Sequence, residues 1–188
     1  MGLIKKITSL VYVKNEIICS KLTTILTKYG SYKSKAYKDA EQEYLVIMSQ
    51  NFATLNEPIV YIHSDAQIPH VHADGVCYCN NQLEMALKMI YKSGGLLIYY
   101  SKEPRNIDGF LQEIHTRKLE VEERNIRQTK VKFDIKTDIR YPSLTFILQD
   151  MNLVKIKLIT NNVKIVELVE QLGIKIIQKA SSISFEYS

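Results

Sequence analysis

Cys77 and Cys79 stand one residue apart, and three histidines, His63, His70 and His72, precede Cys77 within fourteen residues. Thiolates are soft donors that suit zinc, and a nitrogen ligand beside two of them would make a set of three that leaves a fourth position for water. The same C-x-C is also compatible with a pair of buried or reactive thiols and no metal. The chain has three cysteines, an odd count. With two of them so close, a disulfide framework is disfavoured and an intracellular thiol or metal role fits better. Further along, Asp138 and Arg140 lie two residues apart, so in an extended segment both side chains share one face. A guanidinium stays protonated to a pKa above about 12. It therefore grips an anion electrostatically, or needs a carboxylate beside it before it can do more. An ordinary surface Asp–Arg pair is the plain alternative.

These groups must be positioned by the elements around them. Ser9–Val13, Glu43–Ser49, Pro58–His63 and Gly95–Tyr100 are rich in Val, Ile, Leu and Tyr and predict strands. Asn81 is placed to cap a helix from Gln82 to Ser93, with Leu83, Ala86, Leu87 and Ile90 on one face and Gly94-Gly95 as the stop. Pro142 starts a second helix that runs to Met151. Lys155–Thr160, Asn162–Leu172 and Ile174–Gln178 read as strand, helix and strand, a βαβ unit that implies a parallel pair. Thr160 then falls where a strand end meets a helix N-terminus, a junction that offers N–H groups to an anion. Alternation of this kind argues an α/β fold with a mixed sheet.

At 188 residues the chain can fill one core, and a single domain spanning 1–188 is expected. A composition of 46% hydrophobic and 24% charged residues is that of a globular protein. No run approaches the ~18 residues of a spanning helix, and Met1–Lys6 lacks a secretory cleavage pattern. The expectation is a cytoplasmic protein that does not engage membrane. Net charge is +5, and Arg117, Lys118, Arg124, Arg127, Lys130, Lys132 and Lys136 make one stretch basic. Glu120, Glu122, Glu123 and Asp134 interleave with it, which favours a solvated face over a nucleic-acid stripe.

Taken in order, these segments resemble GTP cyclohydrolase II. The zinc segment of that family reads H-S-E-C, ten residues, C-x-C, then x-x-Q-L; this chain has His63-Ser64-Asp65-Ala66, ten residues, Cys77-Tyr78-Cys79, then Asn80-Asn81-Gln82-Leu83. Glu103-Pro104-Arg105-Asn106-Ile107 is similar to its E-G-R-N-I loop, Asp138-Ile139-Arg140 to its D-x-R segment, and Leu158-Ile159-Thr160-Asn161-Asn162 to its L-L-T-N-N strand end. The likeness covers roughly residues 22–178.

The resemblance implies a homodimeric hydrolase of riboflavin biosynthesis that uses Zn2+ and, with the nucleotide, Mg2+. Water activated by zinc opens the imidazole ring of GTP with loss of formate. Asp138 and Arg140 take the catalytic positions for pyrophosphate release. Asp65, Gln82, Glu103, Arg105 and Thr160 take positions of substrate contact, and Cys77 and Cys79 those of metal ligands. The third ligand of the family falls on Ala66, so His72 is the expected replacement, with His63 and His70 as alternatives. Each substrate position also has an ordinary use: Gln82 in a first helical turn, Arg105 as exposed charge, Thr160 as a strand-end cap.

Other departures fall on substrate positions. Pro104 stands for a glycine, Tyr61 for an arginine, Arg117 for a tyrosine, Ile126 for a threonine and Ile165 for a lysine. Ala66, Pro104, Ile126 and Ile165 favour a second reading of a different class, a catalytically silent relative that binds a nucleotide or a partner. A third reading keeps phosphate chemistry through Asp138 and Arg140 and loses ring opening.

Overall fold

The computed structural model describes residues 11–64, 78–101, 129–137 and 141–181. In chain order they form β1 (Val11–Cys19), β2 (Thr23–Thr27), β3 (Gly30–Lys38), β4 (Glu43–Met48), β5 (Ile59–Ser64), α1 (Tyr78–Ser93), β6 (Gly95–Ser101), β7 (Thr129–Thr137), α2 (Pro142–Asp150), β8 (Lys155–Ile159), α3 (Val163–Gln171) and β9 (Lys175–Ala180). A short 3-10 turn, Phe52–Thr54, precedes β5. The strands make one mixed sheet in the order β7-β1-β3-β4-β6-β5-β8-β9, with β2 also paired to β3. The half from β7 to β6 is antiparallel, and β6, β5, β8 and β9 are parallel.

The apolar runs of β4 and β6 follow from their central place. Tyr44, Val46, Met48, Leu96 and Ile98 face α2 and α3, whereas Leu45, Ile47, Leu97 and Tyr99 face α1. A strand covered on both faces needs apolar side chains at both parities. From α1 come Leu83, Ala86, Leu87 and Ile90, at helical spacing. From α2 and α3 come Leu144, Ile147, Leu148, Ile165, Val166, Leu168 and Val169. Each such side chain stabilises the fold by about 1.5–3 kcal/mol through burial.

The turn from α1 into β6 is a place where glycine is required. Gly94 and Gly95 have φ of +83° and +148°, and a Cβ on Gly95 would lie 2.1 Å from the Ile59 carbonyl oxygen. The Ile59 N–H donates to the Gly94 carbonyl at 3.4 Å, fixing the end of α1 beside the start of β5. The first turn of α1 therefore lies at the other end, over the C-terminal ends of β5 and β6. In α3, the Asn162 side chain caps the helix by accepting from the Lys164 N–H at 3.0 Å.

The expected strands 43–49, 58–63 and 95–100, the helix from Pro142 and the βαβ unit of 155–178 are present to within about two residues. Two expectations need correction. First, α1 begins at Tyr78, so Asn81 lies inside the helix and is not its cap. Second, the N-terminal strand extends to Cys19 and is followed by β2 and β3, and the basic stretch contains β7. β3 and β7 alternate lysines with inward residues, Tyr32 in β3 and Val131 and Phe133 in β7, so their charge hid their period. Lys130 pairs with Glu16 across β1 at 2.5 Å, in accord with a solvated face there.

Candidate functional site

From β5 the chain enters α1 and returns in β6 on one side. From β8 it enters α3 and returns in β9 on the other. α1 and α3 cover opposite faces of the sheet. The chain thus diverges between β5 and β8, and in open parallel sheets ligands bind outside the C-terminal strand ends at such a switch point. Ser64, Ser101 and Thr160 close or follow β5, β6 and β8 at this edge. The first turns of α1 and α3 open onto the same edge. Pro142, the first residue of α2, lines a groove of about 580 Å³ there, together with Asp39 and Tyr44.

Thr160 is 4% exposed, and its N–H donates to the Ala180 carbonyl at 3.2 Å. Its hydroxyl oxygen accepts from the Asn162 N–H at 3.2 Å. That local bond is the strand-end cap, and it holds the entry to α3 in shape. Asn161 beside it accepts from the Ser181 hydroxyl at 2.6 Å, which ties the end of β9 to the same junction. Gln82 is half-buried in α1, one turn from its start.

At the end of β5 an aromatic group is assembled on the α1 face. The buried Tyr61 hydroxyl lies 3.1 Å from Nδ1 of His63. The His63 ring stacks on Tyr99 of β6, with centroids 5.8 Å apart and planes 7° from parallel. On the opposite face Tyr44 stacks on Tyr100 at 5.7 Å, and its hydroxyl donates to Asp39 at 3.2 Å. Burial, followed by the charge of Asp39, pushes the Tyr44 phenol far above its ordinary range, so it remains a donor. The Tyr61–His63–Tyr99 group was not foreseen as a unit. The i, i+2 spacing of Tyr61 and His63 was its only sequence signal, because Tyr99 joins through the pairing of β5 with β6.

Of the predicted site residues, Gln82 and Thr160 are described, and both lie at this edge. Asp65, His72, Cys77, Glu103, Arg105, Asp138 and Arg140 lie outside the described residues, as does the side chain of Cys79, although position 79 is in the first turn of α1. Of the described residues that border them, Ser64 and Ser101 end β5 and β6 and Tyr78 begins α1 at the candidate edge, Tyr141 is the residue before α2, and Thr137 ends β7, which pairs with β1. Among the described residues, no three His, Cys, Asp or Glu side chains converge as a metal would require. Ile165 is 1% exposed in the core of α3 and presents no group to the site, and Lys164 beside it is exposed.

A larger groove, about 1280 Å³, lies at the opposite edge between the start of β2 and the α2–β8 connection. Lys35 and Asp150 line it, paired at 2.6 Å, and the Tyr37 hydroxyl also donates to Asp150. None of the residues singled out in the sequence lines it, and it sits at the N-terminal ends of the parallel strands. Size alone would select it; the switch-point geometry selects the other edge.

Comparison with known proteins adds to this geometry. A family model described as GTP cyclohydrolase II matches residues 19–181. The chain is 34% identical over 149 residues to a GTP cyclohydrolase-2 of Campylobacter fetus, covering 78% of this chain and 76% of that one. It is 33% identical over 147 residues to the GTP cyclohydrolase-2 of Campylobacter hominis, covering 77% and 74%. It is also 30% identical over 161 residues to a riboflavin biosynthesis protein RibBA of Chlorobium phaeovibrioides, covering 84% of this chain and 39% of that one.

Proposed function

The chain belongs to the GTP cyclohydrolase II family, and we propose that it is a hydrolase of riboflavin biosynthesis that opens the imidazole ring of GTP and releases formate and pyrophosphate. The observation that carries this reading is the common edge: Gln82 in the first turns of α1 and Thr160 at the end of β8 lie with Ser64 and Ser101, the last residues of β5 and β6, at the C-terminal ends of the parallel strands.

In this reading Thr160 and the first turn of α3 orient phosphate oxygens, with Arg105 gripping the chain of phosphates that Mg2+ accompanies. Gln82 and Glu103 address the edge of guanine. Cys77 and Cys79, with a histidine, would hold zinc, which when bound would lower the pKa of water to about 7 and supply the nucleophile for ring opening. Asp138 and Arg140 handle the α-phosphate, the carboxylate taking a proton while the guanidinium holds the charge. A cytoplasmic homodimer is part of the proposal.

A second reading, a silent nucleotide-binding relative, is favoured by one specific observation. The buried Ile165 gives the phosphates no cation where the family pattern has lysine. The two readings separate on products. Arg140→Ala should remove pyrophosphate release, and Cys77→Ser should remove mainly formate. A protein that binds GTP and yields neither product in any form would establish the silent relative.

A further inference from the structure

The groove of about 1280 Å³ at the N-terminal ends of the parallel strands has the make-up of a ligand site. It runs across Lys35 of β3 and Met48 of β4, between the corner before β2, the turn at Phe52–Thr54 and the α2–β8 connection. Leu22, Phe52, Met151, Leu153 and Val154 supply apolar walls. Leu22 and Val154 are 54% and 70% exposed, so side chains that a core would absorb stand open there. Pockets for small molecules are built this way, from mostly apolar surface and a few polar groups set together. Phenylalanine and methionine side chains suit the faces and edges of flat aromatic rings.

The polar groups are Lys35 and Asp150, whose side chains are 22% and 30% exposed and line the groove. Lys35 gives one N–H to Oδ2 of Asp150 at 2.6 Å, and the buried Tyr37 hydroxyl donates to the same oxygen. An ammonium has three donors, and a carboxylate oxygen has two lone pairs. Oδ2 is therefore filled, while Oδ1 and two N–H groups of Lys35 remain for a ligand. A charged donor thus stands beside a charged acceptor in an apolar cleft, and their mutual bond fixes both.

We propose that this groove is a second ligand site, for a planar heteroaromatic ring that carries a C=O beside an N–H. The ring carbonyl accepts from Lys35, the ring N–H donates to Oδ1 of Asp150, and the ring faces lie against the apolar walls. Flavin-type rings and guanine share that lactam edge. The site lies at the opposite strand ends from the catalytic edge and does not depend on the chemistry proposed there.

The test is a titration of the full chain with lumiflavin, followed by its fluorescence, and with guanosine, followed by calorimetry. At least one of the two should bind saturably, and the one that binds identifies the source of the lactam. Its N-methylated form, which lacks the N–H, should bind at least about 10-fold more weakly, because Asp150 would lose water without gaining a donor. Lys35→Met should weaken binding by a similar factor. Val154→Trp fills the groove from an exposed position that leaves the fold intact, and it should do the same. Failure of both ligands to bind the unmodified protein overturns the inference. So does an N-methylated form that binds as tightly as its parent, or binding that is unchanged in Lys35→Met and Val154→Trp.

Discussion

Replacing Asp150 with alanine removes the acceptor that joins β3 to the end of α2. Lys35 donates to its Oδ2 at 2.6 Å, and the hydroxyl of Tyr37, a residue 1% exposed, donates to the same oxygen. Leaving a buried hydroxyl unsatisfied costs about 1–3 kcal/mol. The Lys35 and Asp150 side chains are 22% and 30% exposed, so solvent screens the pair and its loss adds no more than about 1 kcal/mol. Against this, a carboxylate at a helix C-terminus opposes the helix dipole, and removing it returns about 0.3–1 kcal/mol. The balance is roughly 2 kcal/mol, a fall in Tm of about 4–8 °C for a chain of this size. Asp150→Asn keeps an acceptor for Tyr37 and should lose about 1 kcal/mol. Burial raises the Asp150 pKa, but the bonds from Lys35 and Tyr37 and the charge of Lys35 outweigh it and hold the carboxyl below its ordinary value. A depressed carboxyl stabilises the fold fully above the unfolded pKa of about 3.9 and loses that contribution as pH falls through the folded value. Urea denaturation should therefore show the gap between unmodified protein and Asp150→Asn closing from neutral pH to about pH 2. An Asp150→Ala midpoint equal to that of the unmodified protein, or a gap independent of pH, would refute the reasoning.

Thr160→Val deletes the acceptor of the Asn162 N–H and should cost about 1 kcal/mol in urea, with Thr160→Ser restoring it; a stable valine variant would show that the cap is not used. Ile165→Lys places a charge at a position 1% exposed and should destabilise by about 3 kcal/mol or more. A stable lysine variant with tighter GTP binding would instead show that this position reaches the site.

The parts of the fold readable from sequence were those with one dominant local signal. The runs of β4, β5 and β6 are apolar at both parities because helices cover both faces, and Gly94-Gly95 and Gly173 mark the ends of α1 and α3. β3 and β7 were missed because their outward positions carry lysine, and only pairing with β1 and β4 reveals which face is inside. At the site, Thr160 was legible as a strand-to-helix junction. The Tyr61–His63–Tyr99 group was not, because its stacking depends on a parallel register, His63 beside Tyr99, set across an intervening helix.

The most direct test of the central claim is the product balance of the unmodified protein incubated with GTP, Zn2+ and Mg2+, with formate and pyrophosphate measured together. Release of both is predicted, with pyrophosphate in excess, because Asp138 and Arg140 match the family pattern while the metal segment has Ala66 in place of a ligand. GTP that binds and is recovered intact, with neither formate nor pyrophosphate formed, would contradict it.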